Sequence, residues 1–219
     1  MKTEIKKTED GSNTLYVKDL DEYYHSIFGA ITESRHVYIQ AGLEAIESEQ
    51  INVFEMGFGT GLNAFLTLIQ ARQTGKTVRY TAMELYPLEN SVIESLDYGT
   101  HFPKGESGFF YLLHQAPWNK LTKICKEFTI EKIHADISKL EVSEQYDLVY
   151  FDAFGPDVQP ELWTTDIFQK IYKSMRYGSI LTTYSSKGQV KQNLREVGFS
   201  VKRLPGPPGK FHMTRARKS

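Results

Sequence analysis

Ile51-Asn52-Val53-Phe54-Glu55-Met56-Gly57-Phe58-Gly59-Thr60-Gly61-Leu62 is the stretch whose reading decides the fold. It reads as a buried strand, then a turn of three alternate glycines, then a helix over Leu62–Arg72. The apolar residues of that helix lie almost all round, which makes it a buried helix. Alternate glycines remove each Cβ where a ligand would approach the backbone, and the turn leaves free N–H groups at a helix N-terminus. Such a turn is a nucleotide cradle.

The spacing and the charge narrow the ligand. A phosphate-binding loop ends in Gly-Lys-Ser/Thr, whereas Gly61 is followed by Leu62-Asn63, with no lysine to hold phosphates. The dinucleotide fingerprint needs its third glycine one place later than Gly61 and a helix N-terminus clear for pyrophosphate. Glu55 at the strand end would repel pyrophosphate but suits a ligand carrying an ammonium and a sulfonium. The pattern Glu55-x-Gly57-x-Gly59-x-Gly61 resembles motif I of the class I, Rossmann-like methyltransferases. The resemblance implies S-adenosylmethionine as cofactor, held by Glu55, Gly57, Gly59 and Gly61.

A chain of 219 residues with 40% hydrophobic and 24% charged residues is large enough for one domain with a proper core. Residues 1–46 read as an N-terminal extension, a hairpin and a helix covering the cofactor, and residues 47–219 as the Rossmann-like domain. The single cysteine, Cys125, excludes internal disulfides and cysteine-based metal sites and fits a reducing cytoplasm. No apolar run approaches the roughly 20 residues of a membrane span, and the first residues lack an apolar signal core. The six histidines show no ligand spacing, so no metal is expected. Charge is uneven. Lys187 to Ser219 carries nine basic residues against Glu196, a net +8 against −9 for the rest, the distribution of a polyanion-binding face or of a solvated surface with a frayed tail.

Along the chain, Glu4–Thr8 and Thr14–Asp19 form a hairpin about Asp10-Gly11-Ser12-Asn13, and a helix is expected over Ile31–Ala45. His25, Glu33, Ser34 and His36 read as surface or capping polarity. Thr77–Met83 is a strand ending at Glu84, 23 residues beyond Gly61, where a carboxylate accepts from ribose hydroxyls in folds of this kind. Asp97 to Trp118 reads as a loop, Trp118–Lys126 as a helix, and Phe128–His134 as the third strand. That strand delivers Asp136, either a partner for the adenine amino group or an ordinary loop residue. Tyr146–Phe151 delivers Asp152-Ala153-Phe154-Gly155-Pro156 at the strand edge where open α/β sheets bind ligands. Trp163, Ile167, Phe168, Ile171, Tyr172 and Met175 form a core-facing helical stripe. Gly178–Tyr184 follows as a strand entered through an Arg176-Tyr177-Gly178 turn, then a helix over Lys187–Val197 and strands over Phe199–Leu204 and Phe211–Ala216. Strands alternating with helices give a parallel sheet covered on both faces. The closing pair matches a seven-stranded class I methyltransferase sheet with an antiparallel last strand.

A closer resemblance rests on several stretches together: Phe54 to Asn63, Asp152-Ala153-Phe154-Gly155-Pro156, Pro160-Glu161-Leu162-Trp163, Thr182-Thr183-Tyr184-Ser185, and Gly206-Pro207-Pro208-Gly209-Lys210-Phe211-His212-Met213. These resemble the methyltransferase module of the tRNA 5-methylaminomethyl-2-thiouridine biosynthesis proteins, MnmC type, across Thr14 to Ala216. Family members often read Asp-Gly-Phe-Ala-Pro where this chain has Asp152-Ala153-Phe154-Gly155-Pro156, which changes the turn and keeps the aspartate. The resemblance implies methyl transfer to the amine of 5-aminomethyl-2-thiouridine at the tRNA wobble position. The partner would then be a tRNA anticodon stem-loop, with a separate oxidoreductase supplying the aminomethyl group because the chain stops at Ser219. Asp152 is the expected proton acceptor, since a protonated amine has no lone pair. Phe154 and Tyr184 are the expected platforms for a splayed base, with Lys187 and Lys210 as further substrate contacts. Two other readings are an aminopropyltransferase-like enzyme acting on a small amine, and a non-catalytic tRNA-binding module. The first is poorly matched by a basic C-terminal third, the second by the retention of Glu55, Glu84 and Asp152 together.

Overall fold

The computed structural model describes residues 2–139 and 146–219; Met1, the first residue of the expected extension, lies outside them. The chain opens with a small antiparallel sheet of β1 (Thr3–Lys7), β2 (Asn13–Val17) and β3 (Glu22–Tyr23). The expected hairpin is there, with a short third strand added. The expected helix over Ile31–Ala45 is not continuous. An α-helix, α1, covers only Ala30–Ser34 and runs into a π-helix over Arg35–Gln40, followed by a 3-10 turn at Leu43–Ala45. The break falls at Gly42, where an added Cβ would stand 2.5 Å from the carbonyl oxygen of Tyr38. Apolar spacing alone cannot separate an α-helix from a π-helix of one or two turns.

The decisive stretch folds as read: β4 (Gln50–Met56) enters the glycine turn and α2 (Leu62–Thr74) leaves it. Left-handed glycines bound α2 at both ends, Gly61 (φ 72°) and Gly75 (φ 77°), a conformation open to glycine without a Cβ penalty. Leu62, Ala64, Phe65, Leu66, Leu68, Ile69 and Ala71 are all buried. The chain continues through β5 (Thr77–Glu84), α3 (Asn90–Leu96), α4 (Lys104–Gln115), β6 (Thr122–Lys123), β7 (Phe128–His134) and β8 (Tyr146–Phe151). It closes with α5 (Thr165–Ser174), β9 (Met175–Thr183), α6 (Gly188–Glu196), β10 (Phe199–Pro205) and β11 (His212–Lys218).

The main sheet has eight strands in the order β10-β11-β9-β8-β4-β5-β7-β6. β4, β5, β7, β8 and β9 are parallel, and β11 runs antiparallel to both β9 and β10. The eighth strand corrects the expected seven: β6 pairs antiparallel with β7, where a helix over Trp118–Lys126 was expected. Asn119 sits at φ 58°, a left-handed conformation that asparagine tolerates and a helix does not. Its side-chain oxygen accepts from the backbone N–H of His134 at 3.0 Å, so the segment is stitched to the sheet edge. The expected loop after Asp97 is largely α4. Phe110 and Leu113 are its buried residues, while a Cβ at Gly105 or Gly108 would meet nothing within 4 Å. Two glycines on the solvent side masked a helix held by tertiary burial. Arg176-Tyr177-Gly178 lies inside β9 as an irregularity in its pairing with β8, and Met175 begins that strand instead of ending α5.

Alternation along the strands divides the core. Ile51 and Val53 pack with α2, α4 and Tyr38 on one face, while Phe54 and Met56 pack with α5 and α6 on the other. Trp163, Ile167, Phe168 and Ile171 belong to the second core, as the stripe predicted. No helix among the described residues is long and apolar enough to cross a membrane.

Candidate active site

The parallel strands aim their C-terminal ends at one cleft of ≈ 1360 Å³, larger than the roughly 300–1,000 Å³ of a pocket for one drug-sized ligand. Its walls include Met56–Thr60 after β4, Met83 to Glu89 after β5, Ala135 to Ser138 after β7, Asp152 to Gly155 after β8, and Tyr184 after β9. The leader contributes Tyr23 to Ile27 and Glu33.

The glycine turn is held from several sides. Gly57 N–H donates to Met83 O at 2.9 Å, and Asp152 N–H to Met56 O at 3.1 Å. A Cβ on Gly57 would lie 3.0 Å from the Asp152 carbonyl oxygen, and one on Gly59 3.2 Å from the Tyr24 ring. Both glycines also have positive φ, so the backbone disfavours a side chain and the close neighbours would have to shift to admit one. Glu84 takes Gly59 N–H on Oε2 at 2.9 Å and Tyr86 N–H on Oε1 at 2.8 Å, which places its carboxylate at the lip of the cradle. Thr60 is clasped by two histidines, with Oγ1 2.7 Å from His25 Nε2 and its carbonyl oxygen 3.1 Å from His114 Nε2.

Burial, aided by the charge of Lys132, holds His114 down to about 4. Lys132 is 1% exposed, pushed down by burial to about 8, donates to His114 O at 2.6 Å and lies over the rings of Phe58 and Trp118. The unfolded chain takes up a proton at His114 near pH 6.5 while the folded chain resists it to about pH 4, so folding weakens as pH falls across that window. The lost stability is roughly 3 kcal/mol. His114→Gln keeps a donor to Thr60 and should gain that margin over wild type between pH 6.5 and 4. Urea midpoints of both proteins across the window test this, and a constant difference would refute it.

Asp152 leaves β8 with its carboxyl partly exposed to the cleft. Oδ1 accepts from the Tyr38 hydroxyl at 2.5 Å, and Oδ2 accepts from Asn63 Nδ2 at 2.7 Å. Burial raises the Asp152 carboxyl above its usual range, against the nearby His25 and these two donors. The turn that follows is braced from below: Tyr184 Oη donates to Ala153 O at 2.8 Å and Trp163 Nε1 to Phe154 O at 2.8 Å. Phe154 packs edge-on against Tyr24, with ring centroids 4.9 Å apart.

Of the expected residues, Gly57, Gly59, Glu84, Asp136, Asp152, Phe154, Tyr184 and Lys210 all line the cleft. Asp136 also caps the 3-10 turn behind it through Ser138 N–H at 2.7 Å. Three depart from expectation. Glu55 is not among the residues lining the cleft; it is 0% exposed, lies on the α2 side of the sheet, and accepts from Asn63 Nδ2. Gly61 is outside the lining and serves the turn, since a Cβ there would meet His114 Nε2 at 2.7 Å. Lys187 lines a separate shallow depression and pairs with Asp157. Tyr184 is also less free than expected, because Lys210 Nζ lies 4.2 Å from its ring centroid and is held by buried Glu33 at 2.5 Å.

Sequence reasoning missed Tyr38 and Asn63, the two donors to Asp152. Asn63 follows the last glycine by two residues; Tyr38 sits in the π-helix, and no local pattern connects it with β8.

The profile of a family described as S-adenosyl-L-methionine-dependent methyltransferase matches residues 115–219, a span that includes the Asp152 turn. A tRNA 5-methylaminomethyl-2-thiouridine biosynthesis bifunctional protein MnmC from Cupriavidus necator is 30% identical over 215 residues, covering 91% of this chain and 32% of that protein. Its counterpart from Campylobacter fetus is 28% identical over 198 residues, 88% of this chain and 32% of that protein. The chain thus spans about a third of the length of the curated relatives it matches. The crystal structure of MnmC2 from Aquifex aeolicus superposes with a TM-score of 0.82 at 27% identity, covering all of this chain and 71% of that one. A spermidine synthase from Thermotoga maritima shares the fold at a TM-score of 0.55 and 13% identity.

Proposed function

We propose that this chain, which is similar to S-adenosyl-L-methionine-dependent methyltransferases and to MnmC-type proteins, methylates the amine of 5-aminomethyl-2-thiouridine at the tRNA wobble position, giving 5-methylaminomethyl-2-thiouridine. The observation that carries this reading is a carboxyl, Asp152, held by Tyr38 and Asn63 at the mouth of a cofactor-sized cradle. The residues suit the cofactor: Gly57 and Gly59 line the cleft at positive φ, and a carboxylate, Glu84, stands at the lip where ribose hydroxyls would be accepted. When bound, S-adenosylmethionine supplies a methyl group activated by a sulfonium.

The residues then have two tasks. The cradle and the Asp152 turn would hold the cofactor and the amine side by side, a proximity effect of up to roughly 7–11 kcal/mol. Asp152 accepts the amine proton, directly or through water, so that the nitrogen lone pair is free to attack. Asp136 reads as the adenine partner and Phe154 as the face for a splayed base. Residues 1–46 act as the extension that covers the cofactor, with 47–219 as the catalytic domain. The chain works in the cytoplasm on the anticodon stem-loop, with an oxidoreductase activity supplying the aminomethyl group.

The test is transfer of labelled methyl to bulk tRNA from cells blocked at the aminomethyl stage, with small amines in parallel. Label in 5-methylaminomethyl-2-thiouridine after nuclease digestion is the expected result. Label confined to the small amines would overturn the tRNA reading.

A further inference from the structure

Two carboxyl groups lie on either side of a single amide beneath the cleft. Asn63, 2% exposed in the first turn of α2, donates through Nδ2 to Asp152 Oδ2 at 2.7 Å and to Glu55 Oε1 at 3.0 Å. A primary amide has two N–H bonds, and here each finds a different carboxyl. Among the described residues no cation pairs with Glu55. Its Oε2 makes no close hydrogen bond; the nearby Tyr80 hydroxyl favours the ionised form, while burial and the Asp152 charge oppose it.

Two carboxyls sharing one desolvated site cannot both be ionised without cost, and the more buried member keeps its proton. Glu55 is wholly buried, whereas Asp152 faces the cleft and has two donors. We propose that Asn63 is a positioning residue that ties the Asp152 carboxylate to a neutral, protonated Glu55, and that Glu55 anchors Asn63 instead of meeting the cofactor's ammonium. Burial acts in the same direction on Glu55, raising its carboxyl well above the ordinary range. This rests on the reading of Asp152 as proton acceptor. Charge is thereby confined to the one carboxyl that can reach the substrate. The amide also fixes its orientation, so that the free lone pairs of Asp152 point to the cleft.

Infrared difference spectra test the Glu55 part without turnover. At pH 7 the wild-type protein should show a protonated carboxylic acid band that Glu55→Gln lacks. Glu55→Gln should bind S-adenosylhomocysteine within about threefold of wild type, as measured by calorimetry. If no such band is lost, or if a folded Glu55→Gln no longer binds S-adenosylhomocysteine, the proposal fails.

Asn63→Ala tests the positioning part. Removing one hydrogen bond to a charged group should lower kcat roughly 10- to 100-fold. It should also move the acid limb of the kcat profile up by about one to two pH units, because the ionised form of Asp152 loses a donor. A loss of kcat without movement of that limb would mean a structural role only. If Asp152→Asn were as active as wild type, the proton-acceptor reading would fall, while the infrared result for Glu55 would stand separately.

Discussion

Asp152→Asn lowers methyl transfer by about 10²- to 10⁴-fold, the range that a positioned proton acceptor contributes, and leaves S-adenosylhomocysteine binding close to wild type. The substitution keeps the shape of the side chain. Its oxygen can still accept from Asn63, and its amide can donate to Tyr38, which the wild-type carboxyl engages at 2.5 Å. What is lost is the capacity to take a proton. The pH profile gives the independent check. Wild-type activity should fall as pH drops through the raised Asp152 value, since a protonated carboxyl accepts nothing, and that limb should vanish in the variant. Retention of both rate and limb would assign the proton to another group.

Trp163→Ala destabilises the fold by about 3–5 kcal/mol, the usual range for removing a large aromatic from a core. The indole is 3% exposed and touches Phe151 with ring centroids 4.7 Å apart, with Phe168 and Tyr184 further out. Its Nε1–H also satisfies the half-buried Phe154 carbonyl at 2.8 Å, so truncation leaves that acceptor without this partner. Trp163→Phe refills much of the volume without the donor and should recover more than half of the loss. Because the bonded carbonyl belongs to the residue two after Asp152, kcat should fall in both variants more than cofactor affinity does. Chemical denaturation checks the first claim. A loss under about 1 kcal/mol in Trp163→Ala would show that the turn is braced by other contacts.

Much of the site was legible because it depends on backbone rules that act locally. Alternate glycines at positive φ announce the cradle, the spacing to Glu84 announces the second strand end, and the β8 run delivers Asp152 to the ligand edge. The basic C-terminal segment was a weaker guide. Its charges go to different tasks in the fold: Lys218 donates to Tyr172 O and Met175 O, Lys187 pairs with Asp157, and Lys210 is held by Glu33 over Tyr184. Net charge over a segment says nothing about which faces those side chains occupy.

By itself the sequence determined the alternating α/β order, the closing antiparallel strand, the glycine cradle and the carboxyls at the strand ends, because strand period, buried apolar runs and glycine conformation are properties of neighbours along the chain. Only the tertiary structure decided that Glu55 turns inward to Asn63, that Tyr38 arrives from a π-helix to hold Asp152, that Lys210 covers Tyr184, and that the weak 122–123 segment becomes an eighth strand. Two of these set together residues far apart in sequence, Tyr38 with Asp152 and Lys210 with Glu33. The outcome depends on which groups must share hydrogen bonds once water has been excluded.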